Sequence, residues 1–398
     1  MGFAAGATHR CALPDRGALA SDVAFVVGAF FDVEFVAGAL FDPLGVRLGV
    51  DPALPVVKEV FGPVEWSAQA RKGSVPLVLG DVVVIATETG VSALDAAGKE
   101  KWQTAIDLLP DSSHPDGVRE VIAATDDVVA VIDKGTLPKG SDPLASEDSG
   151  TRITLLNVTD GSAVATQMLP GDPVRTKRTT GLAFEITSNG VEHVAITPSG
   201  ETVTETDGKV PVGTVGEHIV WATPYTANMG VQAFPVADVP WELATLQASD
   251  GREIVVLSSY DGKTTTTLWW NLATGTPLTP DASCPTALTP KTLTASPDGA
   301  FVVGDSAIAD VKAGTVTCTG GGEGQKPVLW WAVADDGTAY GQTADANDTL
   351  VIGKDGEVTA HPIPAEAAMT RLAGFTRDGT AILFSRDAGI VNGNPVKG

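Results

Sequence analysis

The chain has 398 residues, with 26 Lys+Arg against 49 Asp+Glu and a formal net charge of −23 at pH 7. Nucleic-acid backbones and anionic lipid surfaces are poor partners for such a chain, because both are held by basic patches. The acidic excess is spread over turn segments, which reads as a solvated surface and not as a dedicated cation site.

In chain order, the first segment is the anomalous one. Residues 22–50 are strongly apolar yet carry Asp22, Asp32 and Asp42 at regular intervals. A membrane span would place Asp32 and Glu34 near its centre, at roughly 2.5–3.5 kcal/mol each. A signal peptide needs a basic start, an uninterrupted apolar core and a small-residue cleavage site; none is expected within the chain as given. Cys11 follows Thr8-His9-Arg10, which lacks the small apolar residues of a lipid-anchor box. Codon arithmetic supplies another reading. In a GC-rich gene, a one-base shift converts Phe, Val and Leu to Ser, Asp to Thr, Gly to Ala and Ala to Pro. The segment then becomes a Ser/Thr/Pro/Ala linker of the kind that tethers an exported domain. Residues 1–58 are therefore expected to be an extension outside the folded domain, poorly ordered or an out-of-frame linker, and 59–398 to be the domain itself.

From residue 74 onward a phrase repeats: strand, tight turn, apolar strand, turn, strand, Gly turn, strand. Its best copy is SVPLVLGDVVVIATETGVSALDAAGKEKWQT (74–104). Inner turns are read at Gly80-Asp81, Asp126-Asp127, Asn189-Gly190, Gly216-Glu217, Asp250-Gly251, Asp298-Gly299, Asp336-Gly337 and Asp378-Gly379. These residue types supply the backbone angles of tight hairpins, and an apolar strand follows each. Outer turns are read at Gly98, Gly161, Gly200, Gly275, Gly314, Gly356 and Gly393. The long gap after Gly200 calls for a degenerate outer turn near 234–240, and KGTLPKGSDPLASEDSG (134–150) reads as an inserted loop. The fold class expected is all-β: a single eight-bladed β-propeller, or seven-bladed if the short third copy merges with a neighbour. The last copy has only three strands. VEWSAQA (64–70) supplies the fourth, so the N-terminal strand is expected to pair with the last blade and close the ring.

LDAAGKEKW (94–102) resembles the outer turn of the pyrroloquinoline-quinone-like propeller repeat, through Ala93, Asp95, Gly98 and Trp102. NVTDGS (157–162) and NLATGT (271–276) match in part. ASPDGAFVV (295–303) and TRDGTAILF (376–384) look more like the inner turns of WD40-like and TolB-like propellers. The resemblance implies that the Trp packs between neighbouring blades and that the Gly permits the turn. It implies no cofactor here: the calcium ligands, Asp base and vicinal disulfide of the quinone-dependent dehydrogenases have no counterpart in this sequence. Non-catalytic extracytoplasmic relatives are the better comparison.

Other motifs are weak. SYDGKTTTTLWW (259–270) is an off-register Asp-box and reads as a hairpin. DANDT (345–349) lacks the Gly and closing Glu of a calcium loop and reads as a solvated turn. No Gly-x-Ser-x-Gly elbow occurs, and His114, His193, His218 and His361 are scattered over different copies. Cys284 and Cys318 fall at the outer edges of adjacent copies and are a candidate disulfide, which needs an oxidising compartment. Trp269-Trp270 and Trp330-Trp331 are adjacent pairs whose members point to opposite faces of a strand. An exposed member of either pair is the candidate aromatic anchor for a binding surface. The function expected is a non-enzymatic, extracytoplasmic scaffold. It would bind a protein or ligand as a monomer, secreted or tethered at a bacterial cell envelope, with no membrane helix in the propeller. The rival is an enzyme, quinoprotein-like or a hydrolase, with its site in the central channel.

Overall fold

Backbone pairing follows the sequence repeat. In the computed structural model of the chain, the described residues lie between Leu54 and Lys397. They leave out 108, 110–119, 137–148, 172, 176–181, 187–191, 205–209, 217, 223–244, 251, 261–262, 264, 283, 286–289, 320–327, 344–345 and 355–356. Among the described residues there is no α-helix, only a 3-10 turn at Ala365–Ala367. No helix there is long and apolar enough to cross a membrane.

The strands form successive antiparallel meanders. Meander 1 covers residues 77–105, meander 2 120–170, meander 3 174–203 and meander 4 210–222; meanders 5 to 8 cover 245–280, 294–318, 328–362 and 371–395. Each has four strands except meander 4, with two described, and meander 8, with three. The fourth strand of meander 8 is Trp66–Gln69, which pairs with Ile390–Pro395 in the register Trp66↔Gly393 to Gln69↔Ile390.

Second strands are apolar because both their faces are covered: every residue of Val82–Ala86 and of Thr380–Ser385 is buried. The core is a series of contacts between neighbouring meanders. Val84, Val91 and Trp102 of meander 1 meet Val129, Val131 and Leu156 of meander 2. Phe384 and Val391 of meander 8 meet Val83, Ile85 and Leu94 of meander 1. Meanders stacked face to face in this way are the architecture of a β-propeller.

Tryptophans clamp two of these junctions. The Trp66 indole Nε1 donates to Ala96 O (2.8 Å), and the Trp102 indole Nε1 to Val158 O (2.7 Å). Each acceptor lies in the outer turn of the next meander. Those turns carry Gly98 (φ +76) and Gly161 (φ +70), where a Cβ would stand 2.4 and 2.5 Å from the Trp66 and Trp102 rings. The glycines thus serve the turn and the ring stacked on it. At the next junction Ala165 occupies the corresponding position against Gly200.

Four readings change. Gly393 is not a turn but a strand residue beneath Trp66. Meander 8 takes its last strand from upstream in the chain, so it needs no outer turn. Asn189-Gly190 lies outside the described residues, and the strands on either side of it, Ala183–Ile186 and Glu192–Ile196, are the second and third of meander 3. An Asn-Gly pair signals a hairpin without saying which one. Residues 346–349 of DANDT belong to a strand, Ala346–Lys354, and not to a turn. Leu54 and Val57, upstream of residue 59, are buried against the propeller. The segment 12–50, the outer turn near 234–240 and the tip of the insertion at 137–148 lie outside the described residues.

Meanders 5 and 6 are joined at their outer edges. Thr279 and Pro280 pair in parallel with Thr315 and Val316, and Cys284 is bonded to Cys318 (S–S 2.06 Å).

Candidate functional site

In a four-stranded antiparallel meander the first and third hairpins share one end. The second hairpin and the link to the next meander share the other. The described inner turns of the four-stranded meanders therefore lie at one end of the stack. Between the two ends runs a cavity of about 940 Å³, lined by first strands: Leu77–Leu79, Val121–Ala123, Thr294–Ala295, Trp330 and Arg371–Ala373. These come from meanders 1, 2, 6, 7 and 8, so the cavity lies along the first strands of five meanders.

The inner-turn end is crossed by a strut. Arg252, in the inner turn of meander 5, reaches Asp126 in that of meander 2 with Nε 2.6 Å from Oδ1. The same guanidinium donates through Nη1 to Ser296 O of meander 6 (2.9 Å). Neighbouring inner turns are laced by the Asp298 N–H donating to Asp335 Oδ1 (2.9 Å) and the Arg377 N–H donating to Asp81 Oδ1 (3.2 Å). Asp126 is largely exposed, so the strut's net stabilisation is about 1 kcal/mol or less. Its consequence is geometric, since both residues line the cavity and the strut spans it at this end.

Asp250 sits beside the strut. Its Oδ1 accepts the N–H groups of Arg252 (2.9 Å), Glu253 (3.1 Å) and Ile254 (2.9 Å). Burial pushes its carboxyl up to about 6, against the pull of those amides and of the Arg252 charge. A carboxyl whose folded pKa lies above its unfolded value contributes most to stability below the unfolded pKa. That contribution declines as pH rises through the folded one. The stability of Asp250→Asn relative to wild type is thus expected to rise between pH 4 and pH 7, by at most about 3 kcal/mol. Urea denaturation of both proteins at the two pH values measures this, and a difference that does not change with pH would contradict it.

The candidate aromatic residues divide. Trp269 and Trp270 are both buried (1% and 4% exposed), so neither presents an anchor to solvent. Trp269 is packed between meanders 5 and 6 with Leu278, Val302 and Val316. Trp330 is also buried, and its indole Nε1 donates to Thr319 Oγ1 (3.1 Å). Trp331 is half-buried, lines the cavity and lies under the Arg371 guanidinium, whose Cζ is 5.9 Å from the ring centroid. The alternation that should free one member of each pair operates at Trp330-Trp331. It fails at Trp269-Trp270, where both faces of the strand are covered.

Sequence reasoning missed the cavity's cations, Arg252, Lys291, Arg371 and Arg386. Each sits in a different copy or register and belongs to no motif. The one available signal was position: Arg252 immediately follows an inner turn, and Arg371 opens a first strand. Among the described lining residues there is no histidine.

No protein-family model matches the chain, and no curated protein sequence matches it. Among solved structures, it is similar to the Swd1 β-propeller domain of Myceliophteria thermophila, at 10% identity and a TM-score of 0.40 over 84% of this chain and 99% of that one. A streptogramin B lyase is similar at 14% identity and a TM-score of 0.38, over 86% of this chain and 99% of that one. The acylaminoacyl peptidase of Pyrococcus horikoshii reaches 0.29 at 11% identity, over 78% of this chain and 41% of its own.

Proposed function

We propose that the protein is an exported, non-enzymatic binding module: an eight-bladed propeller closed by its N-terminal strand, holding a small ligand in its central channel. The observation that carries this reading is the cavity of about 940 Å³, a volume within the range of ligand sites. Its walls are largely apolar, with a few polar groups at its ends. The burial of Trp269, Trp270 and Trp330 supports the channel over the outer surface as the place of recognition. The Cys284–Cys318 bond supports an extracytoplasmic location, because such bonds persist in oxidising compartments. The eighth blade is meander 4, and closure rests on the pairing of Trp66–Gln69 with the last strand.

The test is to purify the protein natively from its host envelope, denature it and identify released small molecules by mass spectrometry. A stoichiometric compound is expected from wild type and not from Thr292→Trp, whose exposed position in the lining lets a large ring obstruct the cavity without disturbing the core. A compound returned chemically altered would make the channel catalytic. Equal retention by the obstructed variant would move recognition to another surface.

A further inference from the structure

We propose that the channel ligand is an amphipathic organic anion, its charged group held at the end opposite the inner turns and its apolar body lying along the first strands. This rests on the reading of the channel as the binding site. The chain carries nearly twice as many acidic as basic residues, yet the described lining of the channel holds four cations, Arg252, Lys291, Arg371 and Arg386, against Asp126, Asp250 and Asp387. A positive bias inside an acidic protein is a local feature, and low-dielectric walls concentrate its field.

The charges are also sorted by end. Asp126 is neutralised by Arg252, and Asp250 is held by three backbone amides at the inner-turn end. Topology places the other three cations at the opposite end. Lys291 precedes the first strand of meander 6, Arg371 opens the first strand of meander 8, and Arg386 follows the second strand of meander 8. The carboxylates near them are Asp387 in the lining and Asp305, whose carboxyl is raised by burial against the amide and charge of Lys291.

Arg371 is oriented before any ligand arrives. Its Nη1 donates to Ala368 O (2.7 Å) and Thr370 O (3.2 Å), and its Cζ lies over the Trp331 ring. Its remaining N–H groups, and the whole Arg386 guanidinium, have no protein partner among the described residues. A guanidinium fixed in this way loses little freedom on binding an oxyanion and presents paired donors to it. Between this end and the strut the wall is apolar, through Leu77, Leu79, Val121, Ile122, Leu293 and Ala295. It suits the ligand's body and not a second charge.

Two probes that differ in charge test the proposal on the full chain: anilinonaphthalene sulfonate and the uncharged phenylnaphthylamine, each followed by its own emission. Both are expected to bind wild type and to be displaced from Thr292→Trp. Arg386→Gln, at an exposed position that leaves the core intact, is expected to weaken the sulfonate about tenfold or more, the loss of a charge-assisted bond. Phenylnaphthylamine should change less than about twofold on that scale. Added salt should weaken the sulfonate alone. If both probes bind but Arg386→Gln weakens them equally or not at all, the anion preference is wrong and the channel reading stands. If neither probe binds, or Thr292→Trp leaves both unaffected, the channel reading itself fails.

Discussion

Trp66→Ala is expected to destabilise the protein by about 3–5 kcal/mol, the usual cost of truncating a buried tryptophan. The ring is 5% exposed and packs against Ala68, Val83, Leu94 and Ile382, on both sides of the junction between the last meander and the first. Its indole N–H bridges to Ala96 O in a part-buried turn, so truncation also removes a hydrogen bond across the junction. Trp102→Ala removes an equivalent clamp, to Val158 O, between meanders 1 and 2. Those two are already joined by continuous chain, whereas Trp66 helps hold residues from opposite ends of the sequence.

Gly393 gives an independent check. A Cβ there would stand 2.1 Å from the Trp66 Nε1, so Gly393→Ala should cost about 1–3 kcal/mol by overpacking. In the Trp66→Ala background it should cost almost nothing, because the clashing ring is gone. Urea denaturation of the two single variants and the double variant closes the cycle. Additive losses would mean that Trp66 and Gly393 do not act as one contact.

Replacing both Cys284 and Cys318 with serine is expected to cost about 3–4 kcal/mol, the chain-entropy value for a closed loop of this size; the two residues are 34 positions apart. Among the described residues, the edges they join are otherwise paired over Thr279↔Thr315 and Pro280↔Val316. A short parallel ladder cannot replace the crosslink. Wild type treated with a thiol reductant should fall to the stability of the double variant, while the variant itself ignores the reductant. A variant as stable as oxidised wild type would show that the bond contributes nothing to the folded body.

Much of the fold was legible because its signals are local. Glycine and aspartate at the inner turns, and apolar runs after them, report backbone angles and two-sided burial wherever they occur. Trp66 and Trp102 could be matched across the chain since both follow the same strand pattern. Local signals also explain the errors. An Asn-Gly pair in meander 3 marks a hairpin of unspecified rank, and Gly393 looked like a turn because its true constraint, the Trp66 ring, lies more than three hundred residues away. The tryptophan pairs failed as anchors for a related reason: alternation along a strand says which way a side chain points, and only the neighbouring sheet says whether that direction is open.

The sequence by itself determined the repeating hairpin unit, the supply of a missing strand from residues 64–70, and two cysteines at neighbouring outer edges. Hairpin geometry and side-chain alternation are properties of a few consecutive residues. The tertiary structure alone decided that a cavity remains along the first strands. It also decided that Arg252 crosses to Asp126 at one end, and that Lys291, Arg371 and Arg386 collect at the other. Those residues belong to copies far apart in the chain. Their proximity is set by how sheets pack, and no pattern within a copy encodes it.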